Sequence, residues 1–198
     1  MIRHTFDWRI SPLRAVMIGI EAGIERAWRL TKEDAALVDM ALDDSESLLG
    51  VALVAAQTYI EGTVGDVWRF GNRNARGASK PSRKLHAECL SCDVELASNG
   101  ITRVGLLNAA ANYYKHHESA RGLDLQVWRA LNKVGITCTT EYPCSRVTEI
   151  LCGRELRLRT LCDILAEWRA STFAALCHME TSRGQPTPSS AQHSATTR

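Results

Sequence analysis

The chain has 198 residues, a formal net charge of +2, 45% apolar and 23% charged residues. That length is enough for one domain with a buried core, and the composition excludes wholesale disorder. Arg183 and Arg198 sit in a C-terminal stretch without an acidic residue. The remaining body is therefore neutral, and only local patches can argue for nucleic acid.

Seven cysteines, at 89, 92, 138, 144, 152, 162 and 177, make an odd number scattered through helical patterns. The opening Met-Ile-Arg-His-Thr-Phe-Asp-Trp has neither the charged nor the apolar region of a secretory signal. The longest unbroken apolar runs, 15–20 and 50–56, fall well short of the roughly 20 residues that span a bilayer. These features predict a cytoplasmic protein with reduced thiols and no membrane association.

Ser11-Pro12 reads as a helix start, with Ser11 as N-cap and Pro12 in the first helical position; this helix reaches about Leu30. Thr31 is expected to cap a second helix, with Glu33 and Asp34 suited to its positive end. Apolar periodicity continues through Leu37, Ala41, Leu48, Val51, Ala55 and Tyr59, as one long helix or as two broken near Asp43-Asp44. No Lys or Arg occurs between Glu33 and Asp66. The charge then inverts. Arg69, Arg73, Arg76, Lys80, Arg83 and Lys84 follow without one acid, in a stretch that Gly71, Gly77 and Pro81 mark as a loop. A helix from after Ser82 to the Asn99-Gly100 stop comes next.

Thr102 is expected to cap a helix that starts near Arg103 and runs out before Gly122. Further helices are predicted over 123–134, stopped by Gly135, and over 146–152, stopped by Gly153. The last runs from 154 to about 180, with Leu158, Leu161, Leu165 and Trp168 along one side. Residues 181–198 are polar and rich in Pro, Ser and Thr, the composition of a disordered tail. No alternating β pattern of useful length occurs. Residues 1–180 thus predict a single all-α domain, a bundle of roughly five to seven helices.

Polar chemistry concentrates in Asn108-Ala-Ala-Ala-Asn-Tyr-Tyr-Lys-His-His-Glu118. At 100° per residue Asn108, Asn112, Lys115, His116 and Ser119 share one arc, and Val104, Leu107, Ala111 and Tyr114 another. His117 falls in a third sector, with Leu106, Ala110 and Tyr113, and reads as a structural histidine bonded inside the core. His116 can exchange a proton near neutral pH, Lys115 can hold a phosphate, and Asn112 can orient either. That inventory suits RNA cleavage, where a 2′-hydroxyl loses a proton beside a phosphate.

The helix Arg103-Val-Gly-Leu-Leu-Asn-Ala-Ala-Ala-Asn-Tyr-Tyr-Lys-His-His-Glu118, following a long helix with Gln57-Thr58-Tyr59-Ile60, resembles HEPN-type helical proteins of bacteria over residues 45–135. The resemblance implies a metal-independent endoribonuclease of a toxin–antitoxin or phage-defence system. Such a protein needs no cofactor, acts as a homodimer, and has an antitoxin or other protein partner. It also implies a motif in which an Arg precedes a His by a few residues, with Asn112 and His116 in motif positions. The slot for that Arg holds Ala109, Ala110 and Ala111, and alanine supplies no bidentate phosphate contact. Two expectations stand side by side: an RNA-acting enzyme with His116, Lys115 and Asn112 at its site, or a catalytically silent helical module that binds a protein partner or nucleotide.

Two further patches carry expectations. The Arg69–Lys84 loop, with Trp68 and Phe70 at its edge, could guide RNA by phosphate contact and base stacking, or else pair with the acidic segment before it. His86-x-x-Cys89-x-x-Cys92 has ligand types for zinc. Its spacing spreads them around a helix, however, and no second Cys-x-x-Cys completes a tetrahedral set. Buried free thiols and no metal are the reading adopted.

Overall fold

A computed structural model of the chain describes residues 7–71, 80–97, 100–118 and 124–183. Among these the architecture is all-α: α1 (Ile10–Leu30), α2 (Val38–Gly71), α3 (Arg83–Leu90), α4 (Arg103–His116), α5 (Leu125–Asn132), α6 (Pro143–Cys152) and α7 (Arg159–Arg183). One small hairpin interrupts them, β1 (Glu95–Ala97) antiparallel to β2 (Ile101–Thr102), with Glu95 opposite Thr102 and an irregular register. Gly100, at φ +73°, makes its turn, a conformation that a side chain at this position would strain.

The axis of the bundle is α2. It is continuous through Asp43-Asp44, and its 34 residues span about 50 Å at the usual helical rise. It touches α1, α3, α4, α6 and α7, which explains why its apolar residues wrap around most of its circumference. By length and composition the span Ala35–Gly71 is apolar enough to cross a membrane, and 56% of its most apolar window is buried within the bundle. Counting unbroken apolar runs misses this, because scattered Ser, Gln and Thr break the runs while leaving the average high. The core continues through Leu158, Leu161, Leu165 and Trp168 of the last helix and its approach, all fully buried, as their spacing predicts.

Several predicted helix ends lie elsewhere. Ser11 is inside α1, which Arg9 precedes with no side-chain cap, so Pro12 falls within the first turn instead of opening it. Thr31 ends α1, its hydroxyl donating to Trp28 O at 2.9 Å, and Asp34 caps a short 3₁₀ turn (35–37) ahead of α2. The predicted helix 82–99 begins as expected, with Ser82 accepting from Leu85 N, but stops at Leu90. Residues 95–97 then leave as a strand, so Gly100 lies in a hairpin turn instead of ending a helix, and Asn99 lies outside the described residues. α7 reaches Arg183; the tail beyond it lies outside the described residues.

Carboxylates from outside each helix hold the starts of the later helices. Asp93, with 1% of its side chain exposed, accepts from Val104 N at 2.9 Å and takes the Arg103 guanidinium at 2.7 and 3.2 Å. Thr102 adds the predicted cap, accepting from Gly105 N at 3.0 Å. Glu46 of α2 accepts from Cys144 N, Ser145 N and Ser145 Oγ at 2.6 to 2.8 Å at the head of α6. Glu21 of α1 accepts from Leu158 N just before α7. Negative charge at these exposed N–H groups satisfies donors that the helices leave open.

A second network ties the entry of α1 to α2 and α7. Asp66 receives Arg9, Arg69 at 2.6 Å and Arg169 at 3.2 Å, and Arg169 also donates to the buried Thr63 hydroxyl. Tyr59 donates to Asp7, and burial followed by that bond pushes its phenol pKa up. At Asp66 burial pushes the carboxyl up, but hydrogen bonds from Arg9 and Arg69 and the charges of Arg9 and Arg169 outweigh it and hold the group down to about 2. A folded pKa below the unfolded value of about 3.9 contributes stability that is full above that value and is lost as pH falls through the folded pKa. Acid unfolding of the wild type should therefore steepen between about pH 4 and pH 2, where Asp66→Asn should lose that limb and be destabilised by about 2 kcal/mol at neutral pH; urea titrations across pH measure both.

Close approach of α2 and α4 depends on Gly50. A Cβ there would meet the Tyr114 ring at 2.0 to 2.5 Å, whereas a Cβ on Gly19 of α1 would meet nothing within 4 Å. Gly50→Ala is expected to cost about 1–3 kcal/mol by overpacking, and Gly19→Ala to add about 0.5–1 kcal/mol through helix propensity, both read from denaturant midpoints.

Candidate functional site

The polar arc of α4 divides in two once its neighbours are known. Its first half faces Gln57 of α2. The Gln57 amide donates to Asn108 Oδ1 at 2.8 Å and to Asn112 Oδ1 at 3.0 Å. One side chain on the central helix thus donates to the carbonyl oxygens of two residues on the polar arc, of which Asn112 is a predicted site residue. Asn112 is tied through its carbonyl oxygen into the α2–α4 interface. A buried or half-buried amide gains more from a fixed partner than from free rotation.

The second half is open. Lys115 and His116 are exposed and form no hydrogen bond or short ion pair among the described residues. They close α4 at its C-terminal end, where positive charge is favoured by the helix dipole. His117 is the C-cap and is partly exposed, which corrects the expected core position. Its Nδ1 lies 2.8 Å from Tyr114 O, and its ring stacks on those of Tyr113 and Tyr114. It remains a structural histidine, but at the surface.

Beside Lys115 lies a pair that sequence reasoning passed over. His86 Nε2 of α3 is 2.9 Å from Glu61 Oε1 of α2. The hydrogen bond from His86 lowers the Glu61 pKa against burial, with the charges of His86 and Lys115 acting in the same direction. Helix α3 thus brings His86 onto Glu61 of α2, and the charge of Lys115 on α4 acts on the same carboxyl. The signal available in the sequence was Gln57 and Glu61, two polar residues one turn apart in a long apolar helix.

The zinc pattern comes apart here. His86 turns to Glu61, Cys89 is buried with its carbonyl accepting from the Trp168 indole at 2.7 Å, and Cys92 Sγ points to Glu88 O. Burial raises the thiol of Cys89 to about 11. Among the described residues no three His, Cys, Asp or Glu side chains gather closely enough to hold a metal.

The basic stretch is also divided. Arg69 is the last turn of α2 and is paired with Asp66; Lys80 precedes α3, and Arg83 and Lys84 form its first turn. Lys80 and Arg83 are exposed without an ion pair among the described residues, and Lys84 reaches Glu88 only at 3.9 Å. Arg73 and Arg76 lie outside the described residues. Phe70 packs edge-on against Phe173 at 6.4 Å, so its expected part in base stacking gives way to a role in the bundle.

The positions at which the resemblance expects an Arg are buried. Ala109, Ala110 and Ala111 are 6%, 1% and 0% exposed, so the slot itself faces the core and has no room for a guanidinium directed at solvent.

No family model, curated protein or solved structure matches this chain.

Among the cavities at the surface of the bundle are a larger and a smaller one. The larger, about 840 Å³, opens between α1 and the turn before α7, with Arg14 paired to Asp163 and Arg157 to Glu155 at its walls. The smaller, about 530 Å³, lies between α2 and the end of α4, and Lys115 is at its edge. These placements sort the predicted residues by role. Asn112→Ala is expected to cost about 1 kcal/mol of stability, the worth of one hydrogen bond, while leaving RNA affinity within about twofold; denaturant titration and a filter-binding assay together check the sorting.

Proposed function

We propose that this protein acts on RNA at the C-terminal end of α4, as a metal-independent, cytoplasmic helical protein of HEPN-like form. His116 serves as the proton-transfer group and Lys115 as the phosphate contact. The observation that carries the reading is the division of α4: its asparagines are consumed by Gln57, whereas Lys115 and His116 are left exposed and unpaired beside the Glu61–His86 pair. A titratable base with an adjacent cation is the minimum equipment for removing the 2′-hydroxyl proton and holding the phosphate it attacks.

Lys80, Arg83 and Lys84 extend the positive surface at the start of α3, on the helix that bears His86. Two basic residues in a first helical turn oppose the helix dipole, and an incoming phosphate relieves that opposition. Arg69, Arg73 and Arg76 belong to the same stretch of chain and are assigned to RNA guidance with less weight, Arg69 because Asp66 holds it. The resemblance adds a toxin–antitoxin or phage-defence setting, a homodimer and an antitoxin or other protein partner to this proposal.

A second reading has a specific observation behind it. The buried alanines at 109–111 leave no guanidinium for the transition state, which favours a silent module that binds RNA, a nucleotide or a protein partner on the same face. Incubation of total RNA with wild type, His116→Ala and Lys115→Ala in EDTA separates the two. Cleavage that survives EDTA and is lost in both variants supports the enzyme; binding without cleavage supports the module. RNA affinity should fall with rising salt, and each lysine or arginine removed from the 80–84 stretch or at 115 should reduce the slope by about one phosphate contact. Wild-type protein that neither binds nor cuts RNA overturns both RNA readings.

A further inference from the structure

We propose that the cavity between α2 and the end of α4 is a nucleobase subsite, taking the flat base of a nucleoside phosphate whose phosphate lies on Lys115. This rests on the reading of Lys115 as a phosphate contact and names the ligand chemistry beside it.

The cavity holds about 530 Å³, within the range of small-ligand sites. Its α2 wall is mixed, with Glu46 and Ser47 followed by Val51 and Val54. Val51 stands 47% exposed there, with Val54 beside it. The opposite wall is aromatic. The His117 ring lies 5.3 Å from Tyr113 at 20° and 5.8 Å from Tyr114 at 26°, so three rings present related planes. Bases are held by stacking of this kind wherever proteins bind unpaired nucleotides.

Two hydroxyls beside the rings are available. The hydroxyls of Tyr113 and Tyr114 make no hydrogen bond within the described residues, unlike that of Tyr59, which is bonded to Asp7. Such hydroxyls both donate and accept and can pair with the edge of a base. The Nδ1 of His117 is taken by Tyr114 O, and its Nε2 lies 3.6 Å from the Glu118 carboxylate, which also lines the cavity. Glu46 also lines the cavity, but both its oxygens are engaged at the start of α6. Gly50 completes the construction, because its missing Cβ is what lets the Tyr114 ring lie against α2.

One chemistry, a base with a phosphate, could come from a free nucleotide or from an RNA strand. The test is saturation-transfer NMR and titration of the full chain with AMP, adenosine, ribose 5-phosphate and a short single-stranded RNA. AMP is expected to bind with its base protons receiving more saturation than its ribose. Lys115→Ala should weaken AMP and leave adenosine unchanged. Val51→Trp, which fills the cavity from an exposed position, should weaken AMP by about tenfold or more, the size of one lost base stack. Val94→Trp, at another exposed valine, is the control, and Val51→Phe repeats the test with a smaller ring.

Competition of the RNA strand with AMP assigns the subsite to RNA, and AMP binding untouched by RNA assigns it to a free nucleotide; both support the subsite. AMP seated in the cavity of a protein that neither binds nor cuts RNA leaves the subsite standing and removes the RNA reading. Ribose 5-phosphate binding as tightly as AMP overturns the proposal. So does an AMP affinity unchanged in a folded Val51→Trp variant, or an absence of AMP and RNA contact at the cavity.

Discussion

The close contact of α2 and α4 is the constraint on which the rest of the molecule depends. Tyr114 lies against the backbone of α2 because residue 50 has no side chain. With the helices that near, Gln57 reaches both Asn108 and Asn112. The same approach opens the aromatic cavity on one side of α4 and leaves Lys115 at its edge. A methyl group at residue 50 would move all three together, since dense interiors transmit a displacement of one atom to the groups around it.

Charged groups divide between fastening the bundle and facing water. Glu46, Glu21 and Asp66 accept hydrogen bonds from segments far away in sequence, and Asp93 from the helix start just across the hairpin. A carboxylate with fixed donors is an anchor, and its depressed pKa at Asp66 reflects those donors overcoming burial. Lys115, His116, Lys80 and Arg83 have no such attachment among the described residues. That contrast is why the proposed RNA surface is placed on them, with Asn112 and Arg69 counted mainly among the fastenings.

Much of the fold was legible from periodicity. The all-α class, the cap at Thr102, the glycine stops at 135 and 153, and the buried row of Leu158, Leu161, Leu165 and Trp168 follow from spacing and local stereochemistry. The errors lie where two local signals competed. Ser11-Pro12 and Thr31 both look like caps, yet α1 starts earlier and Thr31 closes it, because helix limits are set by packing as much as by the capping residue. Helix α3 ends at Leu90 because Asp93 is drawn under Arg103, and the chain must then turn back through the hairpin.

The sequence by itself determined the helices, their apolar faces and the cluster of polar residues at 108–118, since each of these is a matter of local backbone preference and spacing along one helix. Only the tertiary structure decided which members of that cluster are occupied. Gln57 is 51 residues from Asn108, Glu61 is 25 from His86, and Glu46 is 98 from Cys144. A hydrogen bond depends on a donor and acceptor meeting within about 3 Å, and no periodicity along the chain encodes which remote side chain arrives there.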